Sequence, residues 1–429
     1  MNNEKLLRRL EAFDPELSDL LLSALDRQLT TLSLIPTANA VSPFSAYLKG
    51  SVLGNDFLDH HALERYSRLE RMAAQRACQL FHSDHAIVRT GNPVAAGRVV
   101  FYALAQPNSR ILSFNQRKQE ICTGEWMAYD FHKFCLEPDT LSIDYDKLAA
   151  QAQELRPRLL ICSPVNYPRN INYARMRQIA DNCGAFLWAD LGQNAGLAAA
   201  GLMSSPVAYA DVVTFAASDA LHGPQSGIIL STEKLADLLD QAVLDTGHAS
   251  LKKNVLAALA IAFREAGGEE FHAYCEQTIN GARALENGLR DAGVETLCGP
   301  TENHLILAKL HNNQDGQAIA NTLADAGLMV KPEKLMTSDD SSTYTVLRLS
   351  SLDPTTRGLK EHDLTKLGRA LGTCLRSDMN DYSVQKLSQT VNRLASDLPL
   401  FSEEWLPDAE ANTDKDSNLM EQMMLYWNT

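Results

Sequence analysis

Leu6, Leu7, Leu10, Leu17, Leu20 and Leu21 recur at helical spacing within residues 4–30, so an apolar stripe runs along an otherwise polar stretch. That segment predicts an amphipathic arm that packs on another surface. Between about residues 80 and 235 the pattern changes to short β-rich runs alternating with helical ones. RLLICSP (Arg158–Pro164) predicts a buried strand, Tyr173–Asn182 a helix and AFLWAD (Ala185–Asp190) the next strand. DVVTFAAS (Asp211–Ser218) and GIILS (Gly227–Ser231) predict two more. This alternation marks a mostly parallel sheet covered by helices. A long helical run, Leu251–Ala266, leads into a second region, where NHLILAKL (Asn303–Leu310), Gly316–Gly327 and TVLRLS (Thr345–Ser350) predict a smaller α+β unit.

The expected organisation is an N-terminal arm over 1–45, a large α/β domain over 46–266, a small C-terminal α+β domain over 267–398 and an acidic tail over 399–429. The tail ends in a short apolar segment, Met420–Trp427, and the chain holds no internal repeats.

Composition narrows the class of function. The 429 residues are too many for one ordinary core and fit two domains with appendages. Hydrophobic residues at 45% and charged residues at 21% describe a globular chain. Lys and Arg number 39 against 53 Asp and Glu, a net charge of −14, which argues against nucleic acid or an anionic membrane as main partner. The longest apolar run, Leu256–Phe263, is too short to cross a bilayer. The start, MNNEKLLRRLEAF, lacks an apolar signal core. Eight scattered cysteines without a CxxC pair fit free thiols, so a reducing cytoplasm is the expected location.

No Walker loop, GxGxxG or GxSxG is present. Asp219-x-x-His222 falls just beyond a predicted strand, where ligands bind in open α/β sheets. It reads either as a solvated turn or as a His–carboxylate pair for acid–base work. Asp59-His60-His61 with Glu64, and His82-x-Asp84-His85, have loose metal-ligand spacing and read better as surface loops. Arg65, Arg68, Arg71 and Arg76 fall at helical spacing and predict a solvated face paired with Glu64 and Glu70.

From about residue 31 to 398 the chain resembles serine hydroxymethyltransferase, a fold-type-I enzyme that uses pyridoxal phosphate (PLP). The stretches that carry the likeness are LSLIPTANAVSP (32–43), GSVLGNDF (50–57), RMRQIADNCGAFLWADLGQNAGLAAAG (175–201), VVTFAASDALHGPQSGIIL (212–230), TENHLILAKL (301–310) and LRLSSLDPTTRGLKE (347–361). The resemblance implies a large domain with a mostly parallel, seven-stranded-type sheet between helices, a smaller α+β domain, and a homodimer whose pockets lie at the interface. It also implies that Asp190 matches the aspartate facing the pyridine nitrogen, and Arg348 the arginine that forks onto an amino-acid carboxylate.

The departures cluster on the cofactor. Where the family has His-Lys, with the lysine that forms the Schiff base, this chain has Ser218 and Asp219. A carboxylate cannot condense with an aldehyde. The family's phosphate-holding Ser-Gly-Ser turn falls on Asn92, Pro93 and Val94, and proline has no N–H. Its Gly-Gly turn falls on Thr246 and Gly247, and the ring-stacking histidine falls near Lys118. The tyrosine after GSVL becomes Phe57, the catalytic glutamate becomes Asp59, and the loop that follows is shortened.

The expectation is therefore a hydroxymethyltransferase-like protein without PLP or any other cofactor motif, and tetrahydrofolate has weak support only. Its inherited cleft would hold Thr37, Asp59, Asn92, Lys118, Asp190, Gln193, Ser218, Asp219, His222 and Arg348, with Asp219 and His222 catalytic and the rest binding a small anionic or amino-acid-like substrate. By analogy the reaction is a hydroxymethyl, one-carbon or small-group transfer in specialised metabolism. The alternatives are a non-catalytic regulatory or scaffolding homologue, and a small-molecule binding protein that uses Arg348.

Overall fold

Alternating side-chain directions sort the apolar residues of each strand onto opposite sheet faces, and that sorting builds the cores of this protein. The computed structural model describes residues 3–55, 62–114, 129–134, 136–137, 140–248, 251–311, 314–336 and 343–407. Asp59, Lys118, Cys122, Cys135 and the Met420–Trp427 segment lie outside these described residues. The described strands are β1 (Leu32–Ser33), β2 (His85–Thr90), β3 (Arg110–Phe114), β4 (Asp130–Phe134), β5 (Leu159–Cys162), β6 (Phe186–Gly192), β7 (Val212–Ala216), β8 (Gly227–Ser231), β9 (Leu305–Lys309), β10 (Leu328–Met329), β11 (Lys331–Met336) and β12 (Thr343–Ser350).

The large sheet has seven strands in the order β2-β8-β7-β6-β5-β3-β4. Neighbours from β7 through β4 are parallel, and β8 runs antiparallel to both β7 and β2. Every position of β5, β7 and β8 is buried, as in a sheet covered on both faces. Leu112, Leu160, Leu187 and Val213 join one core, with the helices Ala62–Phe81, Tyr173–Cys183 and Lys253–Glu265. Their strand neighbours Ile111, Leu159, Trp188 and Val212 join a second core beneath the helices Pro93–Leu104 and Ala236–Asp245.

The smaller sheet, β11-β12-β9, is antiparallel. Leu347 and Leu349 of β12, with Ile306 and Ala308 of β9, face a third core closed by the helices Glu269–Asp291, Glu361–Arg376 and Asp381–Ala395. Val346, Leu305 and Leu307 point the other way, into the large domain's core. Period two therefore puts Arg348 on the face turned toward the large domain.

The arm forms two helices, Asn3–Phe13 and Pro15–Thr30, separated at Asp14, whose carboxylate accepts from Leu17 N at 3.0 Å. No residue of the second helix is buried, and Leu20 and Leu22 are 62% and 60% exposed. After it, β1 pairs in parallel with β10, Leu32 opposite Leu328, which ties the arm to the small domain. Arg357, 2% exposed, secures that junction by donating to Gln28, Leu29, Thr31, Ala395 and Pro399 carbonyls. Among the described residues no helix is long and apolar enough to cross a membrane.

Candidate functional site

The neighbouring parallel strands β5, β6 and β7 release their chains at Ser163–Val165, Gly192–Gln193 and Ala217–Asp219, along the carboxyl edge of the sheet. This is the edge where open α/β sheets hold ligands. Asp190, near the end of β6, is 4% exposed and well partnered: Thr214 Oγ1 (3.1 Å) and Gly192 N (3.3 Å) donate to Oδ1, and Ser163 Oγ lies 3.4 Å from Oδ2. Gln193 is buried, and its Nε2 donates to Val165 O at 2.8 Å, while its Oε1 has no hydrogen-bond partner among the described residues.

Arg348 reaches the same place from the small domain. It is 4% exposed, donates from Nη2 to Val165 O at 3.0 Å, and sets Nη1 3.4 Å from Glu333 Oε2. His304, fully buried beside it, holds Nδ1 2.8 Å from Ser350 Oγ. Burial, and then the Arg348 charge, push this imidazole down to about 3, so it is neutral at physiological pH.

Ser218 Oγ donates to Asp219 Oδ1 at 3.0 Å, on a turn where Asp219 (φ 55°) and His222 (φ 54°) both adopt left-handed backbone. Aspartate tolerates that conformation better than most residues. The expected Asp219–His222 couple is not joined through the ring. His222 Nδ1 faces Ala40 O at 2.9 Å and Asn39 Nδ2 at 3.4 Å, and Nε2 is buried without a hydrogen-bond partner among the described residues. The ring packs against Tyr274, Phe401 and Phe271. Burial pushes it down to about 4. Asn39 instead gathers the turn: Nδ2 donates to Asp219 O (2.8 Å) and Tyr274 Oη (3.2 Å), and Oδ1 accepts from Thr356 Oγ1 (2.7 Å).

Other expected residues fall elsewhere. Asn92 caps the helix Pro93–Leu104, its Oδ1 accepting from Ala95 N at 2.8 Å. Thr37 lies exposed on a turn two residues before Asn39. Arg76, expected on a solvated face, donates from Nη1 to Ala260 O at 2.6 Å, and Glu70 pairs with Arg89. His85 pairs with Asp240 at 3.2 Å, and among the described residues no group of three or more His, Cys, Asp or Glu could hold a metal ion. The structure thus brings Asp190, Gln193 and Arg348 to one edge, and adds Glu333, His304 and Asn39. Asn39 sits inside the stretch LSLIPTANAVSP that carries the family likeness, and Glu333 becomes visible only once β11 is paired with β12.

A seven-stranded, helix-covered sheet with a second α+β unit bearing on its carboxyl edge defines the fold-type-I transferase class. The family model for serine hydroxymethyltransferase matches residues 10–371, and the chain belongs to that family. It is 29% identical over 407 residues to the serine hydroxymethyltransferase of Methanospirillum hungatei JF-1, covering 91% of this chain and 98% of that protein.

Three positions test whether the family's PLP fits these residues. Asp190 fits a protonated ring nitrogen. The phosphate position does not fit: the Asn92 side chain already accepts from Ala95 N, and Pro93 brings no N–H to the helix start. The lysine position carries the Asp219 carboxylate, which offers no amine and repels an anion. The residues present do not fit the cofactor.

Proposed function

We propose that this chain is a serine hydroxymethyltransferase-like protein that works without PLP, on a small anionic or amino-acid-like substrate held at the carboxyl edge of the large sheet. The observation that carries the reading is Asp219 in place of the lysine, supported by the side-chain cap at Asn92. By analogy with its family, the reaction is a hydroxymethyl, one-carbon or small-group transfer, with tetrahydrofolate as the candidate carrier. Arg348 binds the substrate's anionic group, Gln193 orients it, and Asp219, half-buried, accepts or returns a proton. His222, neutral and enclosed by aromatic rings, positions the turn that carries Asp219.

The protein works as a homodimer in a reducing cytoplasm, its exposed leucine arm covered by the second copy. The same arm favours a second reading, a non-catalytic partner that docks through it. The test is purification with added PLP. A colourless protein after dialysis is expected, and a visible band that borohydride fixes to a lysine of the chain would overturn the proposal. Incubation with candidate amino acids and tetrahydrofolate, read by mass spectrometry, separates turnover from scaffolding.

A further inference from the structure

Arg348 already faces a carboxylate supplied by its own domain. In the β11–β12 pair Glu333 lies opposite Val346, and Lys331 opposite Arg348. Residues two apart on a strand share a face, so Glu333 and Arg348 are diagonal neighbours on the side turned toward the large domain. Their side chains are 25% and 5% exposed respectively, and Oε2 stands 3.4 Å from Nη1. The guanidinium is thus the inner partner and the carboxylate the outer one.

A buried guanidinium without a counter-charge is strongly unfavourable, and Glu333 relieves that cost. His304, neutral and turned to Ser350 Oγ, adds no second cation beside the guanidinium. The Glu333 contact is nevertheless long for a charge-assisted hydrogen bond, which closes to about 2.7–2.9 Å when well formed. A glutamate with a quarter of its side chain already exposed also returns to water readily. The other arm of Arg348 stays on Val165 O at 3.0 Å, so the fork keeps one fixed contact while the other is exchangeable.

We infer that Glu333 is a tethered carboxylate ligand of Arg348, which an incoming carboxylate must displace, and that Glu333 thereby sets how tightly this cleft holds a carboxylate. The inference rests on the proposed role of Arg348 in binding an anion. A tethered competitor acts at high effective concentration, so it weakens every carboxylate ligand at Arg348 and leaves ligands without a carboxylate unaffected.

The experiment is calorimetric titration of the full-length protein with glycine, and with glycinamide as the probe that lacks a carboxylate. Glu333→Gln is expected to bind glycine roughly tenfold more tightly than the unaltered protein, with glycinamide unchanged. Adding Arg348→Gln to that variant should abolish the gain. Glu333→Asp, which keeps the charge but shortens its reach, should give an intermediate gain and serves if the glutamine variant melts early. Glycine binding that is equal in all Glu333 variants, including none in any, overturns the inference, as does a gain that survives Arg348→Gln. If the gain is absent but Arg348→Gln in the unaltered background still weakens glycine binding, Glu333 alone is dismissed. If that substitution also has no effect, the anion-binding role of Arg348 fails with it.

Discussion

Gln193 and Arg348 donate to one carbonyl oxygen, Val165 O, from 2.8 and 3.0 Å. One comes from the end of β6 in the large domain and the other from β12 in the small one. The shared acceptor links the two units at the candidate site. Gln193→Leu should cost about 1 kcal/mol and Arg348→Met about 2 kcal/mol of stability in urea unfolding. The double variant should lose about 1 kcal/mol more than the sum, because only then is the buried carbonyl left without a donor. Simple additivity would mean that the two contacts are independent.

Returning an amine to position 219 should not restore the family's cofactor. Asp219→Lys places a lysine on left-handed backbone (φ 55°), at a cost of about 1 kcal/mol. The capped helix start at Asn92 still withholds donors from a phosphate. No visible absorption band is expected after dialysis against PLP. A band fixed by borohydride on the new lysine would show that the cradle at 92–95 accepts the anion after all.

Glu265 gives the protein a pH dependence of definite sign. Burial pushes its carboxyl from 4.5 up to about 7, against the opposing hydrogen bond from Ser42 Oγ at 2.8 Å. A carboxyl raised in the folded state favours the protonated form, so its contribution is fully present below pH 4.5 and is lost as pH rises to about 7. Glu265→Gln should therefore gain stability relative to the unaltered protein across that window, by about 2 kcal/mol at pH 8 after discounting for partial exposure. Melting temperatures of both proteins from pH 4 to 8 check this. A difference that does not change with pH would refute it.

Arg357 carries the junction between the arm and the small domain. It donates to five backbone carbonyls, and nearby Asp353 Oδ2 accepts from Ser33 N at 3.0 Å. Arg357→Met should destabilise the fold by about 3 kcal/mol or more, because it strips donors from several carbonyls at once. Limited proteolysis should then cut between residues 28 and 34 ahead of the sheet domains. Unchanged melting would show that the arm is held by other contacts.

The exposed stripe of Leu17, Leu20, Leu21 and Leu25 should be covered by a second copy. Leu20→Ser with Leu21→Ser is expected to shift light scattering from dimer toward monomer. Because no residue of Pro15–Thr30 is buried within one chain, the monomer's own melting should change little. A scattering mass unaffected by both changes would point to a different interface.

Period-two and helical patterns along the chain determined most of the architecture. GIILS became β8 over Gly227–Ser231, because burial on two faces selects a continuous apolar run, while TVLRLS became β12 and Tyr173–Asn182 a helix, because their apolar residues recur at strand and helix spacing. The family likeness singled out Asp190, Asp219 and Arg348, whose places on or just beyond strands are local properties of the chain. The partners of those residues were decided only in three dimensions. Glu333 meets Arg348 through the register of β11 with β12, fifteen positions away in the chain, and Asn39 meets Asp219 across 180 residues. His222, legible as an acid–base candidate beside Asp219, instead points its Nδ1 at Ala40 O, because the returning N-terminal segment and the aromatic rings of Tyr274 and Phe401 enclose it. Spacing along a chain reports which face a side chain takes. What waits on that face is set by packing between distant segments.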